Sequence, residues 1–482
     1  MPALLRVVTG VGLATVLYKL LAALQQLLIA RVLGATQAAD AYFLAQVLPV
    51  LGAGLLYNAL SSSTLFVLRD LTGPALLNGL LLQVITGAVV LAGGILAAGG
   101  FVLYAMAPAS SPALIDQAVS VQVLLLPVLL FQAAGGFLAG VMLSRGRVAL
   151  PAVSMSLYYG GGLAGLFFTR DGSPAALAIG LAAGAALQAA CLAILLLRGR
   201  TFVRPQFDGR SSASLLRQTL PALGCNAIST LLLVSDRSFA AGFGDGHVAA
   251  ISYVYSLITM PTQIIVNTVV GVSMPGWVAA SQDSTAFEEA VTKALAVLSL
   301  ALIPITICMA LGAAPLTALI LGGTRFSEDQ VASIADLLAV YSPAVACFGA
   351  KDALTAAALA RGRASLAFQI GAAAVLLAAT LKWLFAPAFG IKAAALGTCA
   401  ALAVASAILI HRLSGPDLVA RYWRHSREAL LAVLPSIAGG LAVMAATDSS
   451  WASVLTAMGL YAGCWLLLGG PASGLQILRG MR

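Results

Sequence analysis

The chain has 482 residues, 61% of them hydrophobic and only 9% charged, with a mean hydropathy of +1.00. A soluble domain carries about a quarter charged residues, so this composition excludes a water-soluble globular enzyme and places the chain in a bilayer. The net charge of +9 then reads as basic loops held on the cytoplasmic face beside anionic lipid, and not as nucleic-acid binding.

A spanning helix needs about 20 apolar residues to cross roughly 30 Å of hydrocarbon. The first such segment, at 3–34, is long enough to span and shows no short apolar run followed by a cleavage site, so it reads as an uncleaved helix. It holds Lys19 near its middle, then Gln25 and Gln26, with Arg31 close to its end. An ionisable group inside a span needs a partner or a water-filled cavity. Lys19 therefore either offers its ammonium to a substrate diphosphate or snorkels or pairs within the protein. The second segment, 40–68, opens on Asp40, read either as a helix-capping carboxylate or as an external gate ion pair with Arg31 or another base. It also carries Gln46 and Asn58. Four segments follow at 75–106, 118–144, 148–169 and 174–197, with Gln83, Gln122, Gln132 and Gln188 embedded in them. These amides, with Asn267 further on, either bind sugar hydroxyls or tie neighbouring helices together, and for most the second reading is preferred.

A polar, Arg-rich linker at 198–213 cannot cross the membrane and reads as a cytoplasmic hinge or strap. The seventh segment, 214–241, holds Asp236 and Arg237. As adjacent residues they point in different directions on a helix and so seek separate partners, across the lobe interface, or lie on the surface. The eighth, 248–280, holds Ser256. Before the ninth, 287–321, Ser284 or Thr285 is expected to cap the helix, with Glu288 and Glu289 in its first turn. The tenth, 328–360, places Lys351 and Asp352 deep in the span, at least one of them facing the cavity. In the eleventh, 365–386, Lys382 beside Trp383 reads as an interfacial anchor. Segments at 390–412, 428–446 and 451–478 bring the count to about fourteen.

Glycine runs at 52–56, 133–137 and 160–165 let helix backbones approach where lipid gives no hydrophobic drive for association, and some mark bend points. Pro49, Pro127, Pro151, Pro221, Pro261, Pro275 and Pro343 add interruptions. The six cysteines lie in apolar segments with no CxxC pair and read as packing residues.

Two further patterns order the segments. With a cytoplasmic N-terminus, roughly 18 of the 26 Lys and Arg fall at cytoplasmic ends and about four outside, among the former Arg145, Arg147, Arg361, Arg363, Arg421 and Arg424. The stretch from Ser144 is also echoed from Ala360, roughly 216 residues later, in hydropathy and charge placement. The expected fold is thus an all-α polytopic membrane protein of two pseudo-symmetric six-helix lobes, 1–197 and 214–412, with a C-terminal helix pair at 413–482. Repeated bundles of this kind meet at a central cavity and work by alternating access, which points to a transporter.

Residues 26–49, QLLIARVLGATQAADAYFLAQVLP, contain Ala30, Arg31, Gly34, Ala39, Asp40, Ala41, Tyr42, Phe43, Leu48 and Pro49 in a pattern that resembles the MviN-like (MurJ-type) lipid II flippases of the multidrug/oligosaccharidyl-lipid/polysaccharide exporter superfamily. Tyr341, Lys351 and Arg361 fall where that family has similar features, and about fourteen helices match its architecture. The resemblance implies a cationic cavity with arginines on helices one, two and eight. The matching positions here are Lys19 and Gln25, Ala53 and Gly54, and Ser256, so most of that clamp is missing, which favours a relative moving another polyprenyl-linked glycan, such as an exopolysaccharide or O-antigen repeat unit.

The function expected is a flippase moving a polyprenyl-diphosphate-linked saccharide from the cytoplasmic to the periplasmic leaflet of the bacterial inner membrane, both termini being cytoplasmic. No GxxxxGK[ST] occurs, so no cofactor is expected, and the drive would be a coupling ion (H+ or Na+), the membrane potential or product removal. The partners expected are the lipid-linked substrate and membrane lipid, with a monomer as the working unit. A drug/cation antiporter of the same superfamily and a non-transporting scaffold are the alternatives. An enzyme acting on lipid-linked sugars is disfavoured, because only His247 of three histidines is expected outside.

Overall fold

A bilayer offers no water to backbone N–H and C=O groups, so a spanning chain closes its hydrogen bonds inside helices. The computed structural model does so. It describes residues 2–68, 73–168, 173–197, 204–323, 325–414, 422, 426–427, 430–447 and 450–468, and among these every regular element is helical. Arg421 and Arg424, and linker residues 198–203, lie outside them.

Two compact units divide the chain. The first comprises Met1–Thr230 and Ala240–Ala249, the second Leu231–Phe239 and Ala250–Arg482. The first contains α1 (Pro2–Leu33), α2 (Gln37–Ala45), α3 (Gly52–Val67), α4 (Pro74–Met106), α5 (Pro112–Ser144), α6 (Ala149–Phe167) and α7 (Ala175–Leu197). Helices α8 (Gly209–Ala240) and α9 (His247–Ala279) each run through both partitions of the chain. The second unit continues with α10 (Ser284–Leu311), α11 (Ala313–Leu321), α12 (Glu328–Tyr341), α13 (Ala344–Ala360), α14 (Ala364–Phe389), α15 (Lys392–Ser414), α16 (Val433–Thr447) and α17 (Ser450–Leu467).

Among the described residues, ten helical spans are long and apolar enough to cross a bilayer, one of them running through α2 and α3 (Gln37–Leu65), or eleven when α12 and α13 count as one span bent by 43°. The remaining expected segments are helical too: α6, the more polar α8, and α16 with only 15 residues. The α12–α13 bend falls at Pro343, whose ring cannot continue the hydrogen-bond ladder. Pro49 sits in a π-helical stretch, Val47–Leu51, where Leu51 N–H reaches back to Gln46 O. Pro127, Pro221, Pro261, Pro275 and Pro304 lie inside continuous helices.

Several helix starts differ from the sequence expectation, α5 beginning at Pro112 and not at 118, and at two of them side-chain caps show why. Helix α8 begins at Gly209, within the expected linker, because Asp208 accepts hydrogen bonds from Ser211 Oγ and from the Ser211 and Arg210 amides. Those bonds hold its carboxyl below the usual carboxylate range. Before α8, Gln206 lies on the first turn of α4, its N–H donating to Ala75 O at 2.9 Å. Helix α10 is capped by Asp283, which accepts from the Thr285 and Ala286 amides, and not by Ser284 or Thr285.

The repeat is visible in hydrogen bonds. Gly146 and Gly362 both take positive φ, 74° and 72°. Arg147 N–H returns to Met142 O and Arg363 N–H to Ala358 O. Each of those arginines then donates to the end of the second helix after it, Arg147 to Leu195 O and Arg363 to Arg412 O. The guanidiniums thereby complement carbonyls that a helix C-terminus leaves without partners.

Candidate functional site

In the first unit the polar residues of α1 fall among tyrosines. Lys19 Nζ lies 5.7 Å from the Tyr18 ring centroid. Tyr18 stacks on Tyr159 of α6 at 6.2 Å, and Tyr159 meets Tyr158 edge-on at 5.0 Å. An ammonium beside an aromatic face is stabilised by the ring quadrupole, and both Lys19 and Tyr18 are half-buried. One to two turns on, Gln25 is buried against α6, where a Cβ on Gly162 would lie 2.7 Å from its Nε2. The Oε1 atoms of Gln25 and Gln26 are buried and accept no hydrogen bond. Lys19 is thus a half-buried cation beside the half-buried Tyr18, whereas the Gln25 and Gln26 oxygens are enclosed within the protein.

Asp40 lies elsewhere in the same unit and is buried. It resolves the two sequence readings in favour of capping, but of a helix 206 residues away in sequence: Gly246 N–H donates to Oδ2 at 2.5 Å and Ala249 N–H to Oδ1 at 2.7 Å, at the N-terminus of α9. Its own helix is capped by Thr36. The two turns meet closely, since a Cβ on Gly246, φ 83°, would lie 2.6 Å from Ala35 O. Arg31 is exposed on the last turn of α1. Gln46 is buried at the end of α2, whereas Asn58 is exposed on α3. Of the embedded glutamines, Gln132 donates to Gln188 at 3.0 Å and Gln83 accepts from Ser212 at 2.6 Å, both acting between helices.

In the second unit, Asp236 and Lys382 form a buried ion pair. Lys382 Nζ is 2.6 Å from Asp236 Oδ1, and the side chains are 1% and 0% exposed. Thr398 Oγ1 donates to Oδ1 at 2.8 Å, Tyr341 OH donates to Oδ2, and Lys382 Nζ also donates to Ser235 Oγ at 2.9 Å. The expectation that Lys382 is an interfacial anchor is therefore corrected. A helix turns about 100° per residue, so Trp383 faces outward, exposed and edge-on to Phe239, while its neighbour faces the interior. Arg237 takes a separate partner, donating from Nε to Ser252 Oγ at 2.9 Å. Ser256 donates to Ser252 O within α9. Lys351 and Asp352 pair with each other at 2.9 Å, the lysine buried and the aspartate partly exposed.

The structure thus places Lys19, Gln25 and Gln26 on one stretch of α1 and gives Asp40 and Asp236 defined partners. Sequence reasoning missed Ser235, Thr398 and the role of Lys382. The available signal was charge: Asp236 and Lys382 are embedded groups of opposite sign in the same half of the chain.

The sequence pattern of the family described as Lipid II flippase MurJ matches residues 29–462. No curated protein matches the sequence significantly. Among solved structures, the chain is similar to a lipid II flippase MurJ in an inward closed conformation, with TM-score 0.81 and 16% identity over 95% of this chain and 98% of that one. It is also similar to an inward-facing multidrug resistance MATE family transporter, with TM-score 0.71 and 13% identity over 84% and 95% of the two chains. A superfamily transporter from Pyrococcus furiosus, described as having a binding pocket of reverse polarity, aligns with TM-score 0.58 and 15% identity over 84% and 96%. At these identities the structural likenesses establish the fold.

Proposed function

This chain belongs to the lipid II flippase MurJ family, and from that premise we propose that it moves a polyprenyl-diphosphate-linked saccharide from the cytoplasmic to the periplasmic leaflet of a bacterial inner membrane. The observation that carries this reading is the family match, which runs through both units from residue 29 to residue 462. The protein works by alternating access as a monomer with both termini cytoplasmic.

The polar stretch of α1 supports the headgroup assignment. Lys19 contributes a half-buried ammonium beside the Tyr18 ring. An embedded cation is costly unless it serves a partner or a pathway. Lys19 is its cationic group, where the family resemblance implies arginine, and a lysine presents a point charge instead of a bidentate fork. That difference favours a glycan carrier other than lipid II. The test is reconstitution in liposomes with lipid II or with a polyprenyl-diphosphate exopolysaccharide repeat unit, reading appearance of each headgroup outside. The reading predicts transfer of at least one of them, with a tenfold or greater loss in Lys19→Ala. Transfer of neither contradicts it.

A further inference from the structure

A carboxylate placed in the low-dielectric interior of a membrane protein needs a positive counter-charge. A bound metal cation, a proton or a fixed side chain can supply it. Around Asp236 the neighbouring polar groups are oxygens: Thr398 Oγ1 donates to Oδ1, Tyr341 OH donates to Oδ2, and Ser235 Oγ shares the Lys382 ammonium with Oδ1. Oxygen ligands of this kind suit hard cations. The Lys382 ammonium bridges two of them, 2.6 Å from Oδ1 and 2.9 Å from Ser235 Oγ. Its stem has room because α15 bears Gly397 at the crossing, where a Cβ would lie 2.9 Å from Lys382 Cγ.

We infer that Lys382 is a tethered cation occupying the position a monovalent coupling ion would take at Asp236, so this unit runs without binding Na+ or K+ there. A second cation would face a fixed positive charge at contact distance and a carboxylate whose two oxygens already accept three hydrogen bonds. Because the ammonium is covalently held, it cannot leave to either side of the membrane and moves no ion with the substrate. The Asp236 site then contributes no Na+ or K+ gradient to the drive for transport. Removing the lysine side chain should uncover a cation site that the native protein keeps filled.

This inference deepens the transport reading, but it is tested by binding alone, so the two fail separately. Equilibrium dialysis with 22Na+ compares the purified wild type with the volume-conserving pair Asp236→Asn/Lys382→Met, and thermal unfolding is followed in NaCl, KCl, methylammonium chloride and choline chloride at constant ionic strength. The wild type should retain no more Na+ than the double variant and unfold at the same temperature in NaCl and choline. Lys382→Ala should unfold at a lower temperature in choline and rise saturably with Na+ or methylammonium, a response abolished by adding Asp236→Asn. Lys382→Gln, which keeps most of the stem, serves if the alanine variant does not fold. Wild-type Na+ binding that disappears in the double variant would overturn the inference, as would folded Lys382 variants that respond to none of these cations.

Discussion

Asp236 and Lys382 form a pair whose members differ greatly in what their separate loss does. Removing one partner of a buried ion pair leaves an uncompensated charge and costs about 3–5 kcal/mol, whereas replacing both with apolar groups of similar volume is close to neutral. Asp236→Asn or Lys382→Met alone should therefore lower the thermal midpoint sharply, and the double variant should recover most of the loss; equal destabilisation by all three would show that the ion pair is not the source. Asp40 acts differently, through two amides of α9. Asp40→Ala should cost about 0.5–2 kcal/mol and speed hydrogen exchange of the first turn of α9 selectively, and unchanged exchange there would refute the cap. Asp208 caps the exposed start of α8 with a depressed carboxyl pKa, so its contribution persists above the ordinary carboxylate range and is lost as pH falls through the lowered value. That embedded charges need partners was legible from hydropathy alone. Which partners they find was not, because Asp236 and Thr398 stand 162 residues apart and one sequence carries no record of that contact.

Helix packing turns on small residues, and the structure separates those that matter from those that do not. A Cβ on Gly161 would lie 2.5 Å from Gly180 O, and one on Gly165 2.4 Å from Ala176 O, so α6 and α7 touch backbone to backbone. Gly160, one residue earlier in the same run, faces open space. Gly161→Ala should force the two helices apart and lower the thermal midpoint, while Gly160→Ala should leave it unchanged or slightly raised, since alanine is the better helix former. Similar shifts for both would mean that the α6–α7 contact is not tight. The run at 133–137 also packs closely, a Cβ on Gly136 lying 2.7 Å from Tyr57 Cα. The run at 52–56 does not: Gly54 has nothing within 4 Å and Gly52 only a Leu129 methyl at 3.8 Å. Glycine spacing announces that a helix has a smooth face, but not whether another helix lies on it. Proline marked the π-helical stretch at Pro49 and the 43° bend at Pro343, but Pro127, Pro221, Pro261 and Pro275 interrupt no helix.

Across the whole molecule, the repeated Arg-Gly-Arg turns are the part of the design most readable in advance. Their shared positive-φ glycine and shared reach of an arginine to a helix end show that the echo in sequence is an echo in geometry. The all-helical polytopic fold followed from length and apolarity, since both are local properties, although ten or eleven of the described spans, and not about fourteen, satisfy both. The headgroup contacts did not, because a polar residue on a spanning helix looks the same in sequence whether it meets substrate, as proposed for Lys19, or an internal partner, as Lys382 does. Flipping is tested most directly by depleting the protein from living cells and assaying lipid-linked saccharides by leaflet. One polyprenyl-linked species should accumulate on the cytoplasmic leaflet and be cleared by the wild type but not by Lys19→Ala. Depletion with no such accumulation would rule out the proposed flipping.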